Sequence, residues 1–334
     1  MGFSTNDPRN YFALAKQTSA EAEATTGFKF VKYLNGTALD IAIDSQSIYE
    51  GGDGMDQGLI YRQHTKPDGQ IQAYVRPDMW TYLSAWTLGS AAAVGTSAEV
   101  GTSVYVPNST SLYLTVEAAW GGGNQADRVI SALLTGMTVE GQSGEPWKVT
   151  VPFIGGGTPY YRDGAASGLA PTLETGDPAM YAGGAYLLNG ATEVDVMQWT
   201  YNYTRNVDDN LFTTSTFRRK VVPLSRSVSL EMQIIWQNQA YYKQIQYGGG
   251  SYVPAFLATG SFHAERQLVG SQLIAIDVPN LRFTNVSVNR LNPDGETVVL
   301  DVSAMGIRAG TSLVQHRSVH NAVTASSYLG PSGI

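Results

Sequence analysis

The sequence predicts a mainly β chain of two tandem strand-rich domains, each with one short helix, and three observations predict it. Glycine numbers 36 and tyrosine 19 among 334 residues, while long helical periodicities are scarce. That mix favours strands joined by turns. Period-two alternation recurs, as where Leu39, Ile41 and Ile43 interleave with Ala38, Asp40, Ala42 and Asp44. The stretch "YLNGTALDIAI" at 33–43 returns as "LLNGATEVDVM" at 187–197, with like elements in like order behind each copy.

The elements of the first half follow from local chemistry. Residues 1–26 read as an N-terminal arm, either extended or opening a helix at Pro8 capped by Asp7. Asn35-Gly36 is a turn signal, so a strand arriving at Leu34 is expected to reverse and leave from Thr37. Polar residues 45–58 read as a loop, and "LIYRQHTKPDGQIQAYV" as two strands turning at Pro67-Asp68-Gly69. In "RPDMWTYLSAWTLGS", Pro77 suits a first helical turn, Met79, Leu83 and Trp86 share a face, and Gly89 ends the helix. Strands "SLYLTVEAAW", "VISALLTGMTVEG" and "PWKVTVPFIG" complete a domain over 27–165, with "GQSGEP" as a hairpin turn.

Small, Gly- and Pro-rich residues 166–180 read as a linker, and 181–306 as the second domain. There a polar loop at 204–216 precedes the strands of "RRKVVPLSRSVSLEMQIIW" and a short helix in "QNQAYYKQIQYGGG". Strands "SQLIAIDV", "LRFTNVSV" and "ETVVLDVSAMG" close it around "RLNPDG", and 307–334 read as a C-terminal arm.

Composition narrows the function. The net charge is −7 and the densest basic cluster is Arg218, Arg219 and Lys220, too thin for a nucleic-acid binder. Cysteine is absent, which excludes disulfides, thiol nucleophiles and Cys-zinc sites. No apolar run approaches the ~18 residues of a membrane span, and the N-terminus lacks the pattern of a secretory signal. His316 and His320 have the i, i+4 spacing of a helical metal pair but lack a zincin glutamate, so a solvated tail is expected. The glycine runs have no phosphate-loop lysine, and no catalytic triad is visible. No cofactor, metal or catalytic residue is predicted.

Three stretches carry a family resemblance. "FALAKQTSAEAEATTGFKFVKYLNGTALDI", "IQAYVRPDMWTYLSAWTLGS" and "VPNLRFTNVSVNRLNPDGETVVLDVSAMG" resemble, in order and spacing, the first strand, the strand-plus-helix and the last hairpin of the major tail tube proteins of long non-contractile-tailed bacteriophages, in the version with two tandem tube domains. The likeness covers about residues 10–306. It implies a structural virion protein, not an enzyme, assembled in the bacterial host cytoplasm. Each tube domain would be a β-sandwich with one short flanking helix, sheets would join between subunits into a closed barrel, three chains to a pseudo-hexameric ring, and rings would stack into a tube. A tape measure protein and a tail terminator are the implied partners, and double-stranded DNA would pass the lumen without specific binding.

On that reading Asp40, Asp44, Glu193 and Asp195 are candidates for the lumen, with a solvated outer face as the alternative. Glu50, Asp53, Asp56, Asp208, Asp209, Arg218 and Arg219 are candidates for loops between subunits or rings. The competing classes are another virion or adhesive β protein (tail hub, spike or secretion-tube homologue) and a carbohydrate-active β-sandwich enzyme. The last would show a cleft with paired carboxylates.

Overall fold

The computed structural model describes residues 10–48, 59–92, 102–107, 112–120, 125–163, 176–188, 192–193, 195–212, 216–218, 220–235, 239–247, 259–268, 272–288, 298–308 and 313–319. The first half runs β1 (Tyr11–Lys16), β2 (Lys29–Val31), β3 (Ala38–Ile48), β4 (Leu59–Tyr74), α1 (Pro77–Leu88), β5 (Gly89–Ala92), β6 (Thr102–Pro107), β7 (Leu114–Trp120), β8 (Gln125–Leu134), β9 (Gly136–Gln142), β10 (Lys148–Ile154) and β11 (Tyr160–Asp163). The second runs β12 (Gly184–Leu188), β13 (Thr192–Glu193), β14 (Val196–Leu211), β15 (Lys220–Ile235), α2 (Gln239–Tyr247), β16 (Thr259–Gln267), β17 (Leu273–Val288), β18 (Val299–Gly306) and β19 (Gln315–Val319).

Antiparallel ladders join β3, β4, β10 and β9 in that order, then cross to β14, β15, β18 and the C-terminal half of β17. This inner sheet is continuous through both halves. Alternate residues bury Ile71, Val139, Val151, Tyr201, Leu230 and Val302 on one face. Two outer sheets complete the core: β2–β1–β7–β8–β11 in the first half, and β13–β12–β16–β17–β19–β6–β5 in the second. β8 changes sheet at Ser131, whose φ of 54° marks the register slip before Leu133 and Leu134 join β10. A bulge of this kind re-aims a strand from one layer to the other.

The pairing order of the first half recurs in the second. β12 and β13 take the ladder positions of β1 and β2, β14 and β15 those of β3 and β4, β16 that of β7, β18 that of β10, and β19 that of β11. β17 does as one strand what β8 and β9 do as two. Details recur as well: the Thr135 hydroxyl donates to the Pro152 carbonyl at 3.3 Å, and the Thr284 hydroxyl to the Ser303 carbonyl at 3.1 Å. A Cβ on Gly155 would meet a methyl of Val129, and one on Gly306 would meet a methyl of Val278.

Several local expectations change. Pro67-Asp68-Gly69 is no turn, because β4 runs straight through it as one strand. Pro67 accepts at its carbonyl from the Gly155 N–H, and a residue's N and O point to the same side of a strand. Its ring nitrogen therefore faces the end of β10, and the ladder to β3 loses nothing. Gly69 is required by packing, since a Cβ there would lie 2.3 Å from the Ala38 carbonyl and 2.5 Å from the Phe153 ring. Polar residues 45–48 and 205–211 are paired strand and not loop. Asn35-Gly36 does turn, with the Thr37 N–H donating to Leu34, but Tyr33 and Ala38 both lie along β4. In the second half β12 pairs with β13, and the Asn-Gly stretch at 189–190 between them falls outside the described residues.

The described parts of both expected arms are held in sheets, and 1–9 and 320–334 fall outside the described residues. β1 lies between β2 and β7 with Tyr11 to Ala15 buried, and β19 lies between β17 and β6. Linker residue Ala179 donates to Val75 and accepts from Trp147, which ties that stretch to the first half; 164–175 fall outside the described residues. Helix α1 starts at Pro77 and ends at Gly89 (φ 85°) as expected, yet it is buried on every side rather than on one face. A Gly69→Ala substitution should cost about 1–3 kcal/mol by overpacking, read as a lower urea midpoint. An unchanged midpoint would contradict the packing role.

Candidate functional site

The two halves meet along β9 and β14, from Gln142 opposite Gln198 to Gly136 opposite Thr204. Glycine lets the strands cross this closely. A Cβ on Gly136 would sit 2.6 Å from the Tyr203 carbonyl, and one on Gly141 would sit 2.5 Å from the Trp199 indole. Two buried guanidiniums lock the seam. Arg205 donates to the Thr87 carbonyl at the end of α1 (3.0 Å). Arg218 binds Asp68 at 2.7 Å, the Gly155 carbonyl at 2.9 Å and the Asp209 carbonyl at 2.8 Å. The same segment brings Phe212 to stack on His64 (centroids 4.0 Å apart) and Thr216 to accept from the Thr65 N–H.

α1 is covered from the second half. Trp80 Nε1 donates to the Arg317 carbonyl, the Thr81 and Ser318 hydroxyls meet at 2.7 Å, and His316 lies between Ser84 and Tyr201. Burial lowers the His316 pKa to about 3, so the ring is neutral in this core.

The other face of the inner sheet is polar and runs unbroken across the seam. One row reads Lys148, Glu140, Thr200, Glu231, Ser303 and Asn285; the next reads Gln142, Gln198, Gln233, Asp301 and Ser287. Toward β3 the same face holds Asp40 opposite Asp68 and Ala42 opposite Lys66. Among the described residues this face carries six carboxylates (Asp40, Asp44, Asp68, Glu140, Glu231 and Asp301) and three cations (Lys66, Lys148 and Arg282). Two of the cations are spent locally, Lys66 on Asp44 at 2.8 Å and Lys148 on Glu140 at 3.5 Å. What is left is a broad hydroxyl and amide surface with a negative balance.

Comparison with known proteins decides what such a sheet belongs to. The chain matches the family model described as "Phage tail tube protein" over residues 8–265. The chain belongs to the phage tail tube protein family. It is a structural component of the virion tail that assembles with itself into a tube. No curated protein matches it. Among the described residues of this tail tube protein, no helix is long and apolar enough to cross a membrane, and no three His, Asp or Glu side chains are grouped to hold a metal.

Of the lumen candidates, Asp40 and Asp44 lie on the polar face of the tube protein's inner sheet, where the hydrogen bond from Lys66 holds Asp44 below the ordinary carboxylate range. Asp195 is exposed but precedes β14, and Glu193 belongs to the outer-sheet hairpin of β12 and β13. The ladder position of Asp40 is taken in the second half by Asn202. Sequence reasoning passed over Glu140, Glu231 and Asp301, although each sits at a polar position of an alternating stretch ("MTVEG", "VSLEMQI", "VVLDVSA"). Of the loop candidates, Arg218 is fully buried and bound with Asp209 inside its own chain, so it reaches no neighbour. Asp208 accepts from the Asn210 N–H, and Glu50, Asp53, Asp56 and Arg219 lie outside the described residues.

The outer sheets of the tube protein hold matched charge clusters at one ladder position. In the first half buried Glu117 faces Arg128, with Tyr11 and Glu23 joining them. In the second His263 faces Asp277, with Glu265 and Arg317 beside it. Hydrogen bonds to Asp277 and then Glu265 raise the His263 pKa to about 9. A raised pKa contributes stability that is complete below about 6.5, its unfolded value, and is lost as pH climbs through about 9. His263→Gln should therefore lower the Tm at neutral pH and flatten its decline between about pH 6.5 and 9. Parallel Tm–pH curves for the two proteins would refute the linkage.

Arg218→Met should cost about 1–3 kcal/mol by removing the hydrogen bonds across the seam, and Asp68→Asn should add little on top of it. Urea unfolding of the two single variants and the double variant measures this; fully additive losses would argue against a shared contact.

Proposed function

We propose that three copies of this chain close a ring whose inner wall is the eight-stranded sheet repeated three times, and that the polar face lines a channel for double-stranded DNA. The chain is then a tandem duplication of one tube domain. The observation that carries this reading is the seam: within one chain, two sheets with the same strand order already join edge to edge through β9 and β14.

Among the described residues the outer edges, β3 and the end of β17, are each paired on one side only, and a closed barrel pairs the other. Twenty-four strands about 4.8 Å apart close a barrel roughly 40 Å across at the backbone, wide enough for a duplex inside its side chains. Duplex DNA carries about one charge per 1.7 Å of axis. A wall of Thr, Ser, Gln and Asn with sparse acids gives the phosphates nothing to bind, so the duplex slides. Rings stack by a head-to-tail contact into the tail tube of a long non-contractile-tailed phage, assembled in the host cytoplasm around a tape measure protein and capped by a terminator.

Negative-stain microscopy of the purified protein should show three-fold rings and stacked tubes; discrete single chains at high concentration would sink the ring. Phage carrying Glu231→Lys with Asp301→Lys should assemble tails of normal length and eject DNA more slowly. Unchanged ejection would remove this face from the channel.

A further inference from the structure

The seam inside the chain supplies a register for the contact between chains. Leu39, Ile41 and Ile43 stand to β4 as Tyr201, Tyr203 and Arg205 stand to β15, and just beyond them both hairpins slip register, at Asp44/Ser45 and Arg205/Val207. Likewise Thr284 is the residue skipped in the β17–β18 ladder, as Thr135 is skipped between the strands that pair with β10. These matches show which residues of the two outer edges correspond to the two sides of the seam.

Burial differs between the corresponding places in a consistent direction. At the seam Tyr201, Tyr203 and Arg205 are at most 2% exposed, and Met137 and Val139 opposite are equally covered. At the outer edges Ile43 is 52% exposed, and Leu39, Ile41, Val286 and Val288 are only half-buried. The helices repeat the contrast. α1, covered by the second half, is buried all round, whereas α2 leaves Lys243 exposed and Tyr242, Gln246 and Tyr247 half-buried. Among the described residues, β3 is paired only on its β4 side and 283–288 only on the β18 side. Each outer edge is thus one side of a seam with its other side missing.

We infer that β17 of one copy takes β3 of the next copy in the register of the β9–β14 seam, with Ser287 opposite Asp40, Asn285 opposite Ala42, and Val286 and Val288 opposite Ile41 and Leu39. The Thr284 carbonyl then receives the Ile43 N–H, as the Thr135 carbonyl receives that of Arg205 within the chain (2.7 Å). The occupant is a second copy of this chain, because each edge has the apolar spacing and bulge position of the strand that already fits its counterpart. The two junctions are not interchangeable. The seam buries a guanidinium at Arg205 where the contact between copies buries the butyl side chain of Ile43.

This inference rests on the ring reading, and the test separates the two. The chain has no cysteine, so Asp40→Cys with Ser287→Cys introduces one defined pair on the exposed polar face. Neither backbone points at the other strand there, so the Cα atoms would lie about 4.5 Å apart, within disulfide range. Mild oxidation should give covalent dimers and closed trimers on non-reducing gels, and Ala42→Cys with Asn285→Cys should do the same. Asp44→Cys with Ser287→Cys, four residues out of register and about 14 Å away, should give at least tenfold less. Microscopy of the same preparations reports the ring independently. Rings without crosslinks at either in-register pair, or with equal crosslinking at the out-of-register pair, overturn the register and leave the ring standing. Single chains throughout overturn both.

Discussion

A sheet edge presents backbone N–H and C=O groups that must find partners, and the β9–β14 ladder is where this chain meets that demand within itself. Everything near the seam is shaped by how closely two strands must approach. Gly136 and Gly141 leave room for the Tyr203 carbonyl and the Trp199 indole. Arg205 and Arg218 reach across it to donate to the buried carbonyl groups of Thr87 and Gly155. α1 is enclosed because β19 of the far half, paired with β6, extends over it.

The two faces of the inner sheet follow from the same geometry. Alternation places aromatic and aliphatic side chains under the outer sheets and leaves amides, hydroxyls and a few acids on the other side. Because the register holds across the seam, this division runs through all eight strands without a break. The outer sheets of the two halves keep like ladders around different charge pairs. Glu117 and Arg128 form a buried ion pair where the second half has His263 and Asp277, with the acid and base exchanged between strands. The Glu117–Arg128 pair is buried and costly to break from either side, whereas the partly exposed His263–Asp277 pair weakens as pH rises through about 9.

The sequence by itself determined the strand-rich class, the α1 boundaries from Pro77 to Gly89, the absence of any thiol chemistry and the family resemblance. These properties are local or compositional, so they are legible without knowing what touches what. It also indicated like elements in like order in the two halves, and the strand pairing follows the same order in both. Asp40 and Asp44 share the polar face with Glu140, Glu231 and Asp301, and alternation along each strand is legible in sequence, whereas the alignment of the strands into one face is not.

Tertiary structure alone decided the rest. Pro67-Asp68-Gly69 has the composition of a turn, yet long-range pairing to β3 and β10 holds it straight. Residues 11–16 and 315–319 look like arms in isolation, and they become interior strands only because β2 with β7, and β17 with β6, offer edges on both sides. Arg218 reads as a surface charge until the fold brings Asp68, 150 residues away in sequence, against it. Which edges are filled within the chain and which stay open depends on pairing between distant segments, and no spacing along a single strand encodes it.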